Sequence, residues 1–372
     1  MAGLRRQDRA GAKPVTVLLS VYNCERFLPE TLRSLSAQTF EEFDLIAVND
    51  GSNDRTGEIL ERQKDTRIRV IHNERNLGLP AALNRGLREV RSALVARADG
   101  DDVYEPERLE AQVEFMRQHP EVGVASSHIR YVSENGAHMT DVRLPIADED
   151  IRFRMLWSCA LAHPAAIYRT DLVRRAGAYN PKFSRCEDYE LWSRLALVTR
   201  FANVDRFLAR IRLRRGSITT QVRMEDFRQA AEISKRLLDD YLGDLVPLDD
   251  VIAFRLLAYP VFAVPGDLVA SGLALMERVI EQAAQRESDR CIASFRSALG
   301  QNLLLQSTYV SHDSPTASLR LLSHALKLNP KLTRKRLFYD QVVRLGIKVP
   351  LRRLLPDIGA RRFRTGSAGA DP

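Results

Sequence analysis

The sequence predicts an α/β fold with a mostly parallel central sheet, followed by a helical C-terminal region. Over the first 100 residues short apolar runs alternate with helical patterns, and from about Val222 onward strand signals become sparse while amphipathic helical patterns dominate. Strands separated by helices of this length pair in parallel and are covered on both faces.

Val15 to Ser20 is a mostly apolar run that reads as a buried strand, and Leu28, Leu32 and Leu35 follow at the i, i+4, i+7 spacing of a helix face. Asp44 to Val48, Ile68 to His72 and Ala93 to Arg97 repeat the strand signal, with helical patterns at Thr56 to Gln63 and Leu79 to Val90 between them. After Pro106 the residues Leu109, Val113 and Met116 share a helix face, and a strand is expected from Val122 to Val132. Asp148 to Thr219 mixes both patterns; within it a helix entered at Cys186 puts Leu191, Leu195 and Val198 on its buried side. Leu321, Ala325 and Leu328 mark one of the later helices. These patterns divide the chain into a loose basic leader (1–13), a sheet domain (14–220), a helical region (221–330) and a basic amphipathic tail (331–372).

Composition narrows the class. A chain of 372 residues with 45% hydrophobic content can bury a large core and lies well outside the disordered range. Cys24, Cys159, Cys186 and Cys291 lack paired or metal-ligand spacing, so reduced thiols in a cytoplasmic protein are expected rather than disulfides or zinc. The start lacks the apolar core of a signal peptide. The stretch Leu256 to Ile280 is interrupted by Pro260, Pro265, Gly266 and Asp267, and so fails as a span of roughly 20 apolar residues. The net charge of +8 is concentrated in Lys331 to Arg364, where eleven Lys/Arg against only Asp340 and Asp357 give a local +9. Basic and apolar residues interleave there, including Leu337, Phe338, Val342, Val343 and Ile347. That pattern fits an anionic membrane surface, and a peripheral position at the inner face of the cell membrane, at least as well as nucleic acid, and no nucleic-acid partner is expected; a solvated basic tail is the plain alternative.

In a parallel sheet of this kind ligands bind beyond the carboxyl ends of the strands. Here those ends are polar: Ser20-Val21-Tyr22-Asn23, Asn49-Asp50-Gly51-Ser52, His72-Asn73-Glu74-Arg75 and Asp99-Gly100-Asp101-Asp102. Three carboxylates in four residues repel one another unless a cation or wide solvent exposure relieves them, and a hard divalent cation is the natural relief. Magnesium or manganese takes one or two protein carboxylates and completes its shell with water and substrate phosphate. Asp50-Gly51-Ser52 alone would read as a turn with a helix cap. Beside Ser20 and Tyr22 it gains a second reading, with Asp50 accepting from a nucleobase edge and Tyr22 offering an aromatic face.

The ordered segments VTVLLSVYN, FDLIAVNDGS, NERNLGLPAALNRGL, ARADGDDVYEPERLE, AHPAAIYR and CEDYELWSRLA, from Val15 to about Thr219, resemble the family 2 glycosyltransferases, inverting enzymes of the GT-A fold. The resemblance implies that 14–220 is a GT-A catalytic domain. It also implies that Ser20, Tyr22 and Asp50 hold the nucleoside of a nucleotide-sugar donor, that Asp99 lies near its ribose and that Asp101 ligates Mg2+ or Mn2+. Arg75 and Asn84 fall between the base and metal motifs, with Arg75 placed for base or phosphate. Asp188 matches the base that deprotonates the acceptor hydroxyl, with Glu187 next to it as fallback and His163, before Pro164, on the acceptor side. From the residues alone, Asp188 could instead be a carboxylate favouring a helix N-terminus, and His163 a structural histidine.

Two positions depart from the family pattern. Asn49 stands where its first acidic residue would be, and Arg214 stands where a histidine is often credited with helping at the metal or phosphates. Arginine cannot ligate a metal but pairs with phosphate oxygens. The implied reaction is transfer of a sugar, most simply from a UDP-sugar, to a hydroxyl of a saccharide or lipid-linked saccharide in cell-surface polysaccharide synthesis. A nucleotidyltransferase is the rival chemistry, but Ser20-Val-Tyr-Asn-Cys-Glu-Arg has none of its phosphate-loop glycines. A catalytically silent nucleotide-sugar-binding or scaffold protein is the rival from another class.

Overall fold

The computed structural model describes residues 12–214, 223–260, 262–310 and 313–345. It divides into two compact units, Met1–Ile252 and Ala253–Pro372.

In the first unit β1 (Val15–Val21), β2 (Phe43–Asn49), β3 (Ile68–His72) and β4 (Leu94–Asp99) pair in parallel in the order β3-β2-β1-β4. The sheet continues through β8 (Ile167–Arg169), β6 (Val122–Val132), β9 (Arg200–Arg212) and β5 (Val103–Tyr104), while β7 (His138–Val142) pairs with β6. This half is mixed: β6 and β9 run parallel, but β8 is antiparallel to both β4 and β6.

Side chains alternate across each strand, so one sheet feeds two cores. Val15, Val17 and Leu19 of β1 pack with α1 (Leu28–Ser36), α2 (Thr56–Glu61) and α4 (Arg108–Gln118) through Leu32, Leu35, Leu60, Leu109 and Val113. Leu18 of β1, with Ile46, Val48 and Val95, faces the other way. It packs with α3 (Leu79–Glu89), α5 (Asp148–Arg154), α6 (Thr170–Arg175) and α7 (Glu187–Leu195) through Leu83, Leu87, Ile151, Val173, Leu191 and Trp192. The same unit continues beyond residue 220 into α8 (Met224–Leu242). Ala230 and Ile233 of α8 join this second core, and Ser234 hydrogen-bonds the Tyr189 hydroxyl at 2.9 Å. One expected burial is corrected: α7 ends at Leu195, with Ala196 as its cap, so Val198 falls past the helix and is 65% exposed.

α9 (Leu248–Ala258) spans the division between the units. The second unit adds α10 (Val269–Arg286), α11 (Asp289–Val310), α12 (Pro315–Leu328) and α13 (Arg336–Arg344). Buried Gln306 of α11 accepts from the Val264 amide at 3.1 Å and donates to the Leu256 and Phe262 carbonyls at 2.9 and 2.7 Å. This satisfies the irregular backbone around Pro260 and Pro265, which would otherwise carry unpaired polar groups. Gln341 on α13 donates to the Ser307 carbonyl and the Ser318 hydroxyl at 2.8 and 2.9 Å, so the start of the basic tail is fixed to α11 and α12. The remainder of the segment expected on a membrane, from residue 346 on, lies outside the described residues. Among the described residues no helix is long and apolar enough to cross a membrane.

Candidate active site

The register of the parallel strands brings their polar ends to one edge. Ser20 lies opposite both Val48 and Asp99, Val21 opposite Asn49, and Asn49 opposite His72. Ser20 is buried where the strand closes, and Tyr22, just past it, is 41% exposed. Asn49 is tied inward, its amide to His72 Nδ1 at 3.0 Å and its oxygen to the Ser52 amide at 3.2 Å.

Asp50 is 2% exposed, and its carboxylate organises the neighbouring loop. Oδ1 accepts from Asn73 Nδ2 at 2.6 Å and the Leu77 amide at 3.0 Å, while Oδ2 accepts from the Gly78 amide at 2.9 Å. Two glycines make this possible. Gly51 (φ +68°) lies so close to the Arg75 backbone that a Cβ would approach its carbonyl carbon to 2.3 Å, and Gly78 presents its amide from a left-handed conformation (φ +86°). Asp50 therefore fixes the chain that carries exposed Arg75. Asn84 is also engaged: its amide nitrogen donates to the Tyr179 carbonyl at 2.7 Å, and its oxygen accepts from the Tyr179 amide at 3.0 Å. That pair ties α3 to the segment leading into α7. Asp50→Ala strands the Asn73 amide nitrogen and the Leu77 amide, while the Gly78 amide keeps Asn76 Oδ1 at 2.9 Å, and at about 1 to 3 kcal/mol for each unsatisfied group the unit is expected to lose roughly 2 to 6 kcal/mol. A denaturant titration measures this; unchanged stability with lost nucleotide affinity would assign Asp50 to the ligand alone.

Each of the carboxylates Asp99, Asp101 and Asp102 has a partner within the protein. Asp99 pairs with fully buried Arg97 at 2.7 Å. Asp101 accepts from Arg214 Nε at 2.7 Å. Asp102 accepts from the Arg212 amide at 2.9 Å, and burial, with Asp101 and Asp99 beside it, pushes its carboxyl well above the usual range. Arg212 itself is locked by Glu30 at 2.7 Å and by the Asp101 and Glu134 carbonyls at 3.0 and 2.9 Å. Among the described residues no three His, Cys, Asp or Glu side chains are gathered to hold a metal. Arg214 occupies Oδ2 of Asp101, so a divalent ion on that carboxylate would sit beside a guanidinium, and the residues present do not form a ready cage.

The second cluster lies at the N-terminus of α7. Asp188 sits in its first turn, where the helix dipole favours a carboxylate. The Tyr189 amide donates to Oδ1 at 2.7 Å, and the Cys159 thiol donates to Oδ2 at 3.6 Å. Burial and neighbouring Glu187 raise the Asp188 pKa, and that makes it a stronger proton acceptor than a solvated carboxylate. Burial also pushes Glu187 up to about 7 and His163 down to about 4. The 3.3 Å contact between His163 Nδ1 and Glu187 Oε1 thus joins two groups that the interior drives toward neutrality. His163 Nε2 meets the Tyr179 hydroxyl at 3.0 Å, which in turn lies 3.4 Å from that of Tyr168. Arg97 and Asp99 both act electrostatically on His163 and Glu187, so the end of β4 and the start of α7 share one field.

Arg97, Arg212, Tyr179 and Cys159 are the contributors that sequence reasoning passed over. A readable signal existed for Arg97: a lone charge within the apolar run Leu94 to Ala98, two residues before Asp99 and so on the same strand face. Tyr179 and Cys159 carry no such mark, since their partners are 16 and 29 residues away in sequence.

The profile of "Glycosyl transferase family 2" matches residues 16–176. The amylovoran biosynthesis glycosyltransferase AmsE of Erwinia amylovora is 33% identical over 208 residues, covering 53% of this chain and 75% of AmsE. The O-antigen biosynthesis glycosyltransferase WbnJ of Escherichia coli is 28% identical over 187 residues, covering 49% of this chain and 71% of WbnJ. In fold the chain is similar to S. aureus TarS 1-349 in complex with UDP-GlcNAc, with a TM-score of 0.53 at 20% identity over 86% of this chain and 91% of that one. The motifs at the strand ends, the α/β sheet that aligns them and the identity to AmsE together place this chain in the family 2 glycosyltransferases.

Proposed function

We propose that the protein transfers one sugar, with inversion, from a UDP-sugar to a hydroxyl of a saccharide or lipid-linked saccharide in cell-surface polysaccharide synthesis. The observation that carries this is the Asp188 carboxylate, held at the start of α7 in the same field as Asp99 at the edge of the parallel strands. Ser20 and Tyr22 line the nucleoside side, the loop fixed by Asp50 carries Arg75 toward base or phosphate, and Asp99 lies by the ribose. Asn84 acts as a positioning residue through Tyr179. Asp188 takes the proton from the acceptor hydroxyl as its oxygen attacks the anomeric carbon and the nucleoside diphosphate leaves. His163 and Glu187, paired and shielded from bulk water, shape the acceptor side. The pathway class is supported by the relative whose name assigns it to O-antigen biosynthesis.

Glycosyltransferases of this family commonly use a divalent metal. The magnesium or manganese implied at Asp101 by resemblance would compete there with Arg214, the cation that the chain itself provides.

A thermal-shift panel of nucleotide sugars tests the donor assignment, since a compound that binds only the folded state raises the melting temperature. UDP-sugars are expected to give the largest shifts. Shifts confined to GDP- or CDP-sugars would overturn the uridine assignment, and no shift with any nucleotide sugar would overturn the donor reading itself.

A further inference from the structure

We propose that Arg214 is the resident cation of the donor site: the leaving diphosphate binds against its guanidinium, and a divalent ion is not required for donor binding. This rests on the nucleotide-sugar reading above.

Asp101 is the carboxylate expected to hold a metal, and its Oδ2 is hydrogen-bonded to Arg214 Nε at 2.7 Å, with both side chains partly buried. The neighbouring carboxylates are engaged as well: Asp99 pairs with Arg97 at 2.7 Å and Asp102 accepts from the Arg212 backbone amide at 2.9 Å. Arg214 is also well placed by its surroundings. It follows β9, whose last residue, Arg212, is held by Glu30 and two carbonyls, and its guanidinium carbon lies 5.9 Å from the centre of the Phe27 ring. Ring and strand end together restrict where that charge can go.

A divalent ion bound at Asp101 would sit beside this guanidinium, and the two positive charges would repel in a partly desolvated site. That repulsion weakens ion binding there for as long as the guanidinium stays on Asp101. A guanidinium can remain on a carboxylate and still meet phosphate, because its five N–H groups fan out in one plane that matches oxyanions. It is charged at every working pH, as a developing diphosphate requires.

Calorimetric titration of UDP, with GDP in parallel, into the full chain tests the assignment in chelator and in manganese. Wild type is expected to bind UDP in chelator within about threefold of its affinity in manganese, a difference of well under the 1.4 kcal/mol that a factor of ten represents. Arg214→Gln should weaken binding in chelator by about tenfold or more, the value of a hydrogen bond to a charged group. Manganese should restore part of that loss, because Asp101 is then released to the ion, and Arg214→Lys should fall between the two. A thermal melt of each variant confirms that it is folded. If wild type binds UDP in manganese but not in chelator, the inference is wrong and the nucleotide-sugar reading stands. If neither UDP nor GDP binds under either condition, both fall together.

Discussion

Asp188→Asn is expected to keep donor affinity and to lower turnover by about 100-fold or more, the usual scale for removing a general base. Asparagine preserves the shape and can still accept the Tyr189 amide hydrogen bond that holds Oδ1. It cannot take a proton at the pH where the enzyme works. The raised pKa of Asp188, from burial and from Glu187, matters here because basicity is the property the substitution removes. Initial rates at saturating donor, together with UDP affinity by titration, separate the outcomes. A fall in affinity with unchanged turnover would move Asp188 into the binding site. Glu187→Gln supplies a contrast on the adjacent residue: Glu187 Oε1 lies 3.3 Å from His163 Nδ1, and in its neutral form an amide imitates it.

Much of the first unit was legible because its parallel strands are short, mostly apolar runs. Ile68–His72 and Val122–Val132 fall on the expected boundaries, and the others differ by one or two residues at an end. The mixed half of the sheet was not readable in that way. Ile167–Arg169 is three residues long, too short for a period to register. Arg200–Arg212 carries four arginines, and β6 shifts register against it around Ser127 and His128, so its buried positions do not alternate. The helical run was foreseen, but the first compact unit keeps α8, since apolar spacing alone does not say which core a helix joins.

At the site, strand-end chemistry identified the carboxylates, whereas their counter-charges were hidden by distance along the chain. Arg214 meets Asp101 across 113 positions and Arg212 meets Glu30 across 182. A sequence read locally shows three adjacent acids and invites a metal. Folded, each acid has its own partner, yet Asp101 and Asp99 still push the Asp102 carboxyl up.

The central claim is a single displacement with Asp188 as the base, and the anomeric configuration of the first product tests it most directly. An oxygen activated by Asp188 attacks opposite the departing diphosphate, so one displacement inverts the anomeric centre, and water in place of the acceptor must do the same. The full-length protein is given an α-configured UDP-sugar, and the released sugar is followed by proton NMR before it mutarotates. The account predicts that the β anomer appears first. Initial appearance of the α anomer would require retention, which one base acting on one nucleophile cannot deliver, and would contradict the assignment of Asp188.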